Sequence, residues 1–193
     1  MSIEFELKYR ADAGQMAAVR AVYSGNSRII AMETTYYDTP SGILSARHIT
    51  CRKRLENGTA VCTVKTPAPK GARGEWETEC DSIEKAIPDL CKLGCPKEVL
   101  SLTKEGLRPI CGARFTRTAL DISFPGGRAE LALDSGALTG GGKEMPLCEI
   151  EIELKSGEIG ALLTFGEAFS AEFGLEPQPK SKFRRAFDLA KGD

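Results

Sequence analysis

Charged residues spaced two apart recur along this chain, and they are of the types that handle metal and phosphate. Glu4, Glu6 and Lys8 stand at its start, and Glu149, Glu151 and Glu153 near its end. Between them lie Arg52 and Arg54, then Thr63 and Lys65, then Glu75 and Glu77 on either side of Trp76. In an extended strand, residues two apart point the same way, so each group puts its charges on one face. Three like charges on one strand face repel. A divalent cation gives them a reason to be there, because Mg²⁺ and Mn²⁺ prefer carboxylate oxygens. Acidic strands at both ends and basic strands between them suit one site, in which metal bridges phosphate oxygens and Arg and Lys neutralise the remaining charge. The apolar residues Phe5, Leu7 and Tyr9, and Ile150, Ile152 and Leu154, take the opposite faces. Charges lining a closed sheet and charges facing solvent give the same spacing, and spacing alone does not choose between them.

The elements that must position these groups are mostly strands. Alternation predicts strands over 3–10, 28–37, 49–55, 59–66, 74–80, 110–124, 128–134 and 147–154. Asn57-Gly58 marks a tight hairpin turn. Residues 38–42 form a turn around Asp38 and Pro40, and 67–71 and 139–142 read as loops. Helical spacing covers 13–23, with Asp12 as its N-cap, then 81–102 with breaks at Gly94 and Pro96, then 157–173 and 183–190. Regular crossover helices, which a parallel sheet needs, are absent. The expectation is a single α+β domain over 1–193, an antiparallel barrel or sandwich with peripheral helices.

Composition narrows the function. Net charge is only −1, but the charges are segregated into blocks of one sign, and that segregation is the informative feature. No apolar run approaches the roughly 20 residues a membrane span needs. The charged, alternating start leaves no room for a secretory leader, so the expected location is cytoplasmic. Seven cysteines without a CxxC pair read as reduced thiols, Cys91 and Cys95 included. The single His48 argues against histidine metal sites and histidine-driven nucleophilic catalysis. Aromatics are 7% of residues and do not interleave with the arginines, so no nucleic-acid partner is expected.

Glu4-Phe5-Glu6-Leu7-Lys8 matches an ExExK signature, and further blocks follow it in family order. These are Tyr36-Tyr37-Asp38-Thr39-Pro40, Cys51-Arg52-Lys53-Arg54, Thr63-Val64-Lys65, Phe115-Thr116-Arg117, the stretch from Glu130 through Asp134 to Gly136, Cys148 to Gly157, and Ser181-Lys182-Phe183-Arg184-Arg185. Over essentially its whole length the chain resembles the CYTH superfamily of triphosphate tunnel metalloenzymes, and most of all its bacterial inorganic triphosphatases. The resemblance implies a closed antiparallel β-barrel of about eight strands, a triphosphate tunnel. Glu4, Glu6, Glu149 and Glu151 match metal ligands for Mg²⁺ or Mn²⁺, with Glu153 and Asp134 as further ligands or supporting groups. Lys8, Arg52, Arg54, Lys65, Arg117 and Lys182 match residues that grip the triphosphate, with Arg185 assisting and Arg73 and Arg114 as weaker candidates. Lys8 and Glu151 are the expected catalytic residues, and the expected partner is a small-molecule triphosphate. Asp134, just before Ser135-Gly136, also has the look of a turn residue.

Three other functions fit the same scaffold: a class IV adenylate cyclase, a thiamine triphosphatase, and a non-catalytic sensor of polyphosphate or nucleotide. No His-Phe segment of the cyclase type precedes the acidic strand, and no Trp stands near the basic hairpin to bind a thiazole. Both absences favour a substrate without a base. A sensor needs only Arg and Lys, whereas this chain carries the glutamates together with Lys8.

Overall fold

The computed structural model describes residues 5–67 and 73–192. Its strands are β1 (Glu6–Arg10), β2 (Ser27–Asp38), β3 (Thr50–Glu56), β4 (Thr59–Pro67), β5 (Arg73–Glu79), β6 (Arg108–Phe124), β7 (Gly127–Gly140), β8 (Lys143–Gly157) and the two-residue β9 (Glu176–Pro177). They form one antiparallel sheet in the order β5-β4-β3-β2-β6-β7-β8-β1-β9. The helices are α1 (Ala13–Val22), α2 (Ile43–Ala46), α3 (Ile83–Lys92), α4 (Lys97–Leu102), α5 (Ile159–Phe173) and α6 (Lys182–Lys191).

Packing resolves the ambiguity that spacing leaves. Tyr9, Leu120, Ile122, Leu131, Leu133, Ile150 and Ile152 form one buried cluster with Val19 of α1 and Leu162 and Phe169 of α5. Cys51, Cys62, Val64 and Trp76 form a second with Ile83, Ile87 and Leu90 of α3 and Val99 of α4. Trp76 thus packs against a helix, as its position between Glu75 and Glu77 suggests. Burying such side chains stabilises by about 1.5–3 kcal/mol each. Surface ion pairs contribute roughly 0–1 kcal/mol. The apolar faces therefore go under the helices, and the charged faces of the same strands are turned to the other side of the sheet.

Three expectations need correction. The ladder of hydrogen bonds ends at β5 and β9, so the barrel is not closed by hydrogen bonding among the described residues. Pro177 has no N–H with which β9 could extend the ladder. Nor are all the helices peripheral: Phe183, Ala186, Phe187 and Ala190 of α6 pack with Met32, Tyr36, Cys111, Ala113, Phe115, Leu138 and Leu147 on the charged, inner side. A Cβ on Gly140 would lie 2.4 Å from the Ala186 carbonyl oxygen, so glycine there lets α6 seat against β7. Finally, the expected loop at 139–142 shrinks to the turn Gly141-Gly142, both with positive φ, between long strands β7 and β8. Ser-Gly and Thr-Gly pairs read as loop chemistry, but Leu138 buried against α6 holds β7 extended. Asp134 is therefore a mid-strand residue and not part of a turn.

The Asn57-Gly58 turn is as expected, with φ of 50° and 92°. It is tied to β2 by hydrogen bonds in both directions with Ala31. Asp38 does more than shape a turn, since its buried carboxylate accepts from the neighbouring Thr39 amide and from the Leu44 and Ser45 amides of α2.

Candidate active site

Register brings the acids together. Asp134 of β7 lies opposite Glu149 of β8, with Glu151 two residues further along the same face. Asp134 and Glu149 are fully buried, and oxygens of all three carboxylates lie within 4.8 Å of one another. Ser181 caps α6 by accepting from the Arg184 amide, which places Lys182 and Arg185 over these acids. The Lys182 Nζ lies 2.8 Å from Asp134 and 2.7 Å from Glu151, and also contacts Glu149. Arg117 of β6 donates a two-pronged pair to Asp134 at 2.8 and 2.7 Å and a further bond to Glu151. Arg185 donates to Glu149.

The electrostatics follow from burial and this pairing. Burial pushes the Glu149 carboxyl up to about 7, with Lys182 and Arg185 opposing the shift and Glu151 adding to it. Burial acts on Glu151 too, but Lys182 and Arg117 outweigh it and hold this carboxyl well below its usual range. Lys182 is pushed above its ordinary value because its three acids overcome the effect of burial.

The basic wall stands on β3 and β4. Lys65 lies opposite Glu75 of β5 in register, and its Nζ is 2.6 Å from that carboxylate. Arg52 reaches the other Glu75 oxygen at 3.5 Å, and Arg54 pairs with Glu56. Burial, with Arg52 and Arg117 nearby, pushes the Arg54 guanidinium below its ordinary value. The Nε atoms of Arg52, Arg54 and Arg185 and the Thr63 hydroxyl are buried without a hydrogen-bond partner. A buried donor left unmade costs about 1–3 kcal/mol, which an anion's oxygens would recover.

Both walls face one cavity of about 420 Å³. It is lined by Glu6, Lys8, Arg52, Arg54, Lys65, Arg117, Glu151, Glu153 and Lys182 among the residues expected from sequence. Asp134, Glu149 and Arg185 stand behind that lining, joined to it through Lys182 and Arg117. Glu6 and Lys8 pair at 3.3 Å, and Glu153 is 2.7 Å from Lys155. Glu4 and the side chain of Arg73 lie outside the described residues. Arg114 does not join the site, because it pairs with Glu144 on the exposed side, beside an open depression that holds no buried acid. Glu56, Glu130, Tyr36 and Phe115 also line the cavity and were missed. Glu56 continues the two-residue spacing of Arg52 and Arg54, a signal that sequence carried.

The donor chemistry of the acidic triad fits a hard divalent cation, which takes carboxylate oxygens. The whole chain then fits a known frame: the family model described as the CYTH domain matches residues 2–187. The chain belongs to the CYTH family. It is 32% identical over 157 residues to an inorganic triphosphatase of Haemophilus influenzae, covering 80% of this chain and 45% of that protein, so it spans about half of that relative's length. Among solved structures, a Hippeastrum protein described as a candidate adenylyl cyclase with a dominant triphosphatase activity matches with a TM-score of 0.68. Its identity is 19%, over 100% of this chain and 97% of that one. A candidate adenylate cyclase of Bacillus halodurans matches with a TM-score of 0.65 and 21% identity, over 96% and 98%. At these identities the two structures bear on the fold alone. Among the described residues no helix of this CYTH domain is long and apolar enough to cross a membrane.

Proposed function

We propose that this CYTH domain hydrolyses inorganic tripolyphosphate to pyrophosphate and phosphate with the help of Mg²⁺ or Mn²⁺. The observation that carries the reading is the juxtaposition, across one cavity, of a buried acidic triad and a basic wall with orphaned guanidinium donors. The resemblance to the Haemophilus influenzae triphosphatase supports it. Phosphoryl transfer asks a protein chiefly for positioning and charge neutralisation. Arg52, Arg54 and Lys65 bind phosphate oxygens, the arginines in the paired fashion their planar forks allow. Arg117, Lys182 and Arg185 complete the grip from the acidic side. Asp134, Glu149 and Glu151, with Glu4, Glu6 and Glu153, would hold a divalent cation, which when bound would supply Lewis-acid polarisation of phosphate oxygens and water. Glu151 is ionised at neutral pH and takes the proton of the attacking water, and Lys8 supports the transferring oxygen.

The test is phosphate release from tripolyphosphate, ATP and thiamine triphosphate with Mg²⁺ or Mn²⁺, with cyclic AMP followed in parallel. Preferential turnover of tripolyphosphate is expected. Cyclic AMP from ATP would make the domain a cyclase, and binding without turnover would make it a sensor.

A further inference from the structure

Three carboxylates, Asp134, Glu149 and Glu151, meet three cations, Arg117, Lys182 and Arg185, in one buried cluster. With all three carboxylates ionised the formal charges cancel, so each carboxylate already has a cation against it before any metal binds. A divalent cation takes carboxylate oxygens at roughly 2.0–2.6 Å. It cannot share these oxygens with an ammonium held against the same three groups without strong repulsion between the cations.

We propose that Lys182 is the internal stand-in for the divalent cation: its ammonium occupies the triad in the metal-free protein and is released toward the phosphate side of the cavity when the cation binds. This rests on the proposed metal-dependent reading of the site. Lys182 is singled out by geometry, since among the described residues it alone touches all three carboxylates. Arg117 is fixed by a two-pronged fork, and Arg185 touches only Glu149. A lysine carries a point charge on a flexible stem and can turn aside with little cost in geometry. Lys182 is also the first residue of α6, whose first turn holds no acid. The helix dipole disfavours a cation there, so the carboxylates and not the helix hold the ammonium in place. Lys182 already lines the cavity that Arg52 and Arg54 face, so the released ammonium meets the incoming anion. Metal loading and anion grip are then coupled through one side chain, each strengthening the other.

The experiment is a Mn²⁺ titration, followed by electron paramagnetic resonance, of wild type, Lys182→Met and Arg185→Met without any phosphate compound. Lys182→Met is expected to bind Mn²⁺ about tenfold tighter than wild type or more, and Arg185→Met to gain clearly less. Equal affinity in folded Lys182→Met and wild type overturns the inference, as does an equal gain in Arg185→Met, which would reduce the effect to loss of one positive charge. Should Lys182→Met not fold, the wild type decides by itself. Acetic anhydride labelling of Lys182, measured by peptide mass spectrometry against exposed Lys92, is expected to rise several-fold on saturation with Mg²⁺. Unchanged labelling overturns the inference. Neither readout uses tripolyphosphate, so a protein that behaves this way but turns over no tripolyphosphate keeps the stand-in lysine and loses only the proposed activity.

Discussion

The two walls of the cavity are charged in opposite senses and built in opposite ways. On β7 and β8 the acids are sealed: Asp134 and Glu149 have no exposure, and their cations Arg117, Lys182 and Arg185 have side chains only 11–14% exposed. On β3 and β4 the cations Arg52, Arg54 and Lys65 keep 15–23% exposure, and Arg52 and Lys65 share the single buried acid Glu75. The acidic wall pairs its charges within itself, leaving the Arg185 Nε over, and the basic wall holds the Arg52 and Arg54 Nε donors and the Thr63 hydroxyl in reserve. A binding site for a highly charged anion gains from this asymmetry. One side fixes geometry in advance, and the other supplies unmet hydrogen-bond capacity that only the ligand fills.

The largest effect is expected where the sealed wall meets the chemistry. Glu151→Gln keeps shape but removes the proposed proton acceptor, and tripolyphosphate turnover measured by phosphate release should fall by about 10²–10⁴-fold. A loss confined to KM would place Glu151 in binding and not in proton transfer. Next comes stability. Arg117→Met leaves the three carboxylates Asp134, Glu149 and Glu151 facing two cations, Lys182 and Arg185, so one buried negative charge goes uncompensated and urea denaturation should show a loss of about 3–5 kcal/mol. Adding Asp134→Asn should return most of it, because the double variant leaves no unpaired ion.

The basic wall should respond in the opposite way. Arg54 is disfavoured by burial and by Arg52 and Arg117, so Arg54→Met should change stability by less than about 1 kcal/mol while raising KM for tripolyphosphate about tenfold or more. A large stability loss in Arg54→Met would erase the contrast between the walls.

The difference between the walls also explains what sequence could show. Period-two spacing exposed Glu6, Lys8, Arg52, Arg54, Glu149, Glu151 and Glu153, because a strand writes its faces directly into the order of residues. Which face is core was not legible, since that depends on α1, α5 and α3 covering the apolar sides from distant parts of the chain. Glu75 stayed ambiguous for the same reason: only the register of β4 with β5 sets it against Lys65. Asp134 looked like a turn residue because Ser135-Gly136 and the glycines at 140–142 carry local turn chemistry, and packing of α6 on β7 overrides it. The family blocks supplied Lys182 and Arg185, which no strand spacing could reach because they sit on a helix.

The smallest effect concerns how firmly each wall is anchored. Cys62 lies on β4, one strand from the β5 edge, and Cys111 on β6, in the middle of the sheet. Burial pushes the Cys62 thiol up to about 11 and the Cys111 thiol up to about 12. At pH 8 the native thiolate fraction of either is about a thousandth or less, so modification proceeds mainly through local opening. Strands near an edge open at lower cost than central ones. In mild urea with iodoacetamide, Cys62 should therefore be labelled a few-fold faster than Cys111, with Cys148, which is only partly buried, ahead of both. Equal rates for Cys62 and Cys111 at every urea concentration would mean that the walls open as one cooperative unit, and the basic wall would then be no looser than the sealed one.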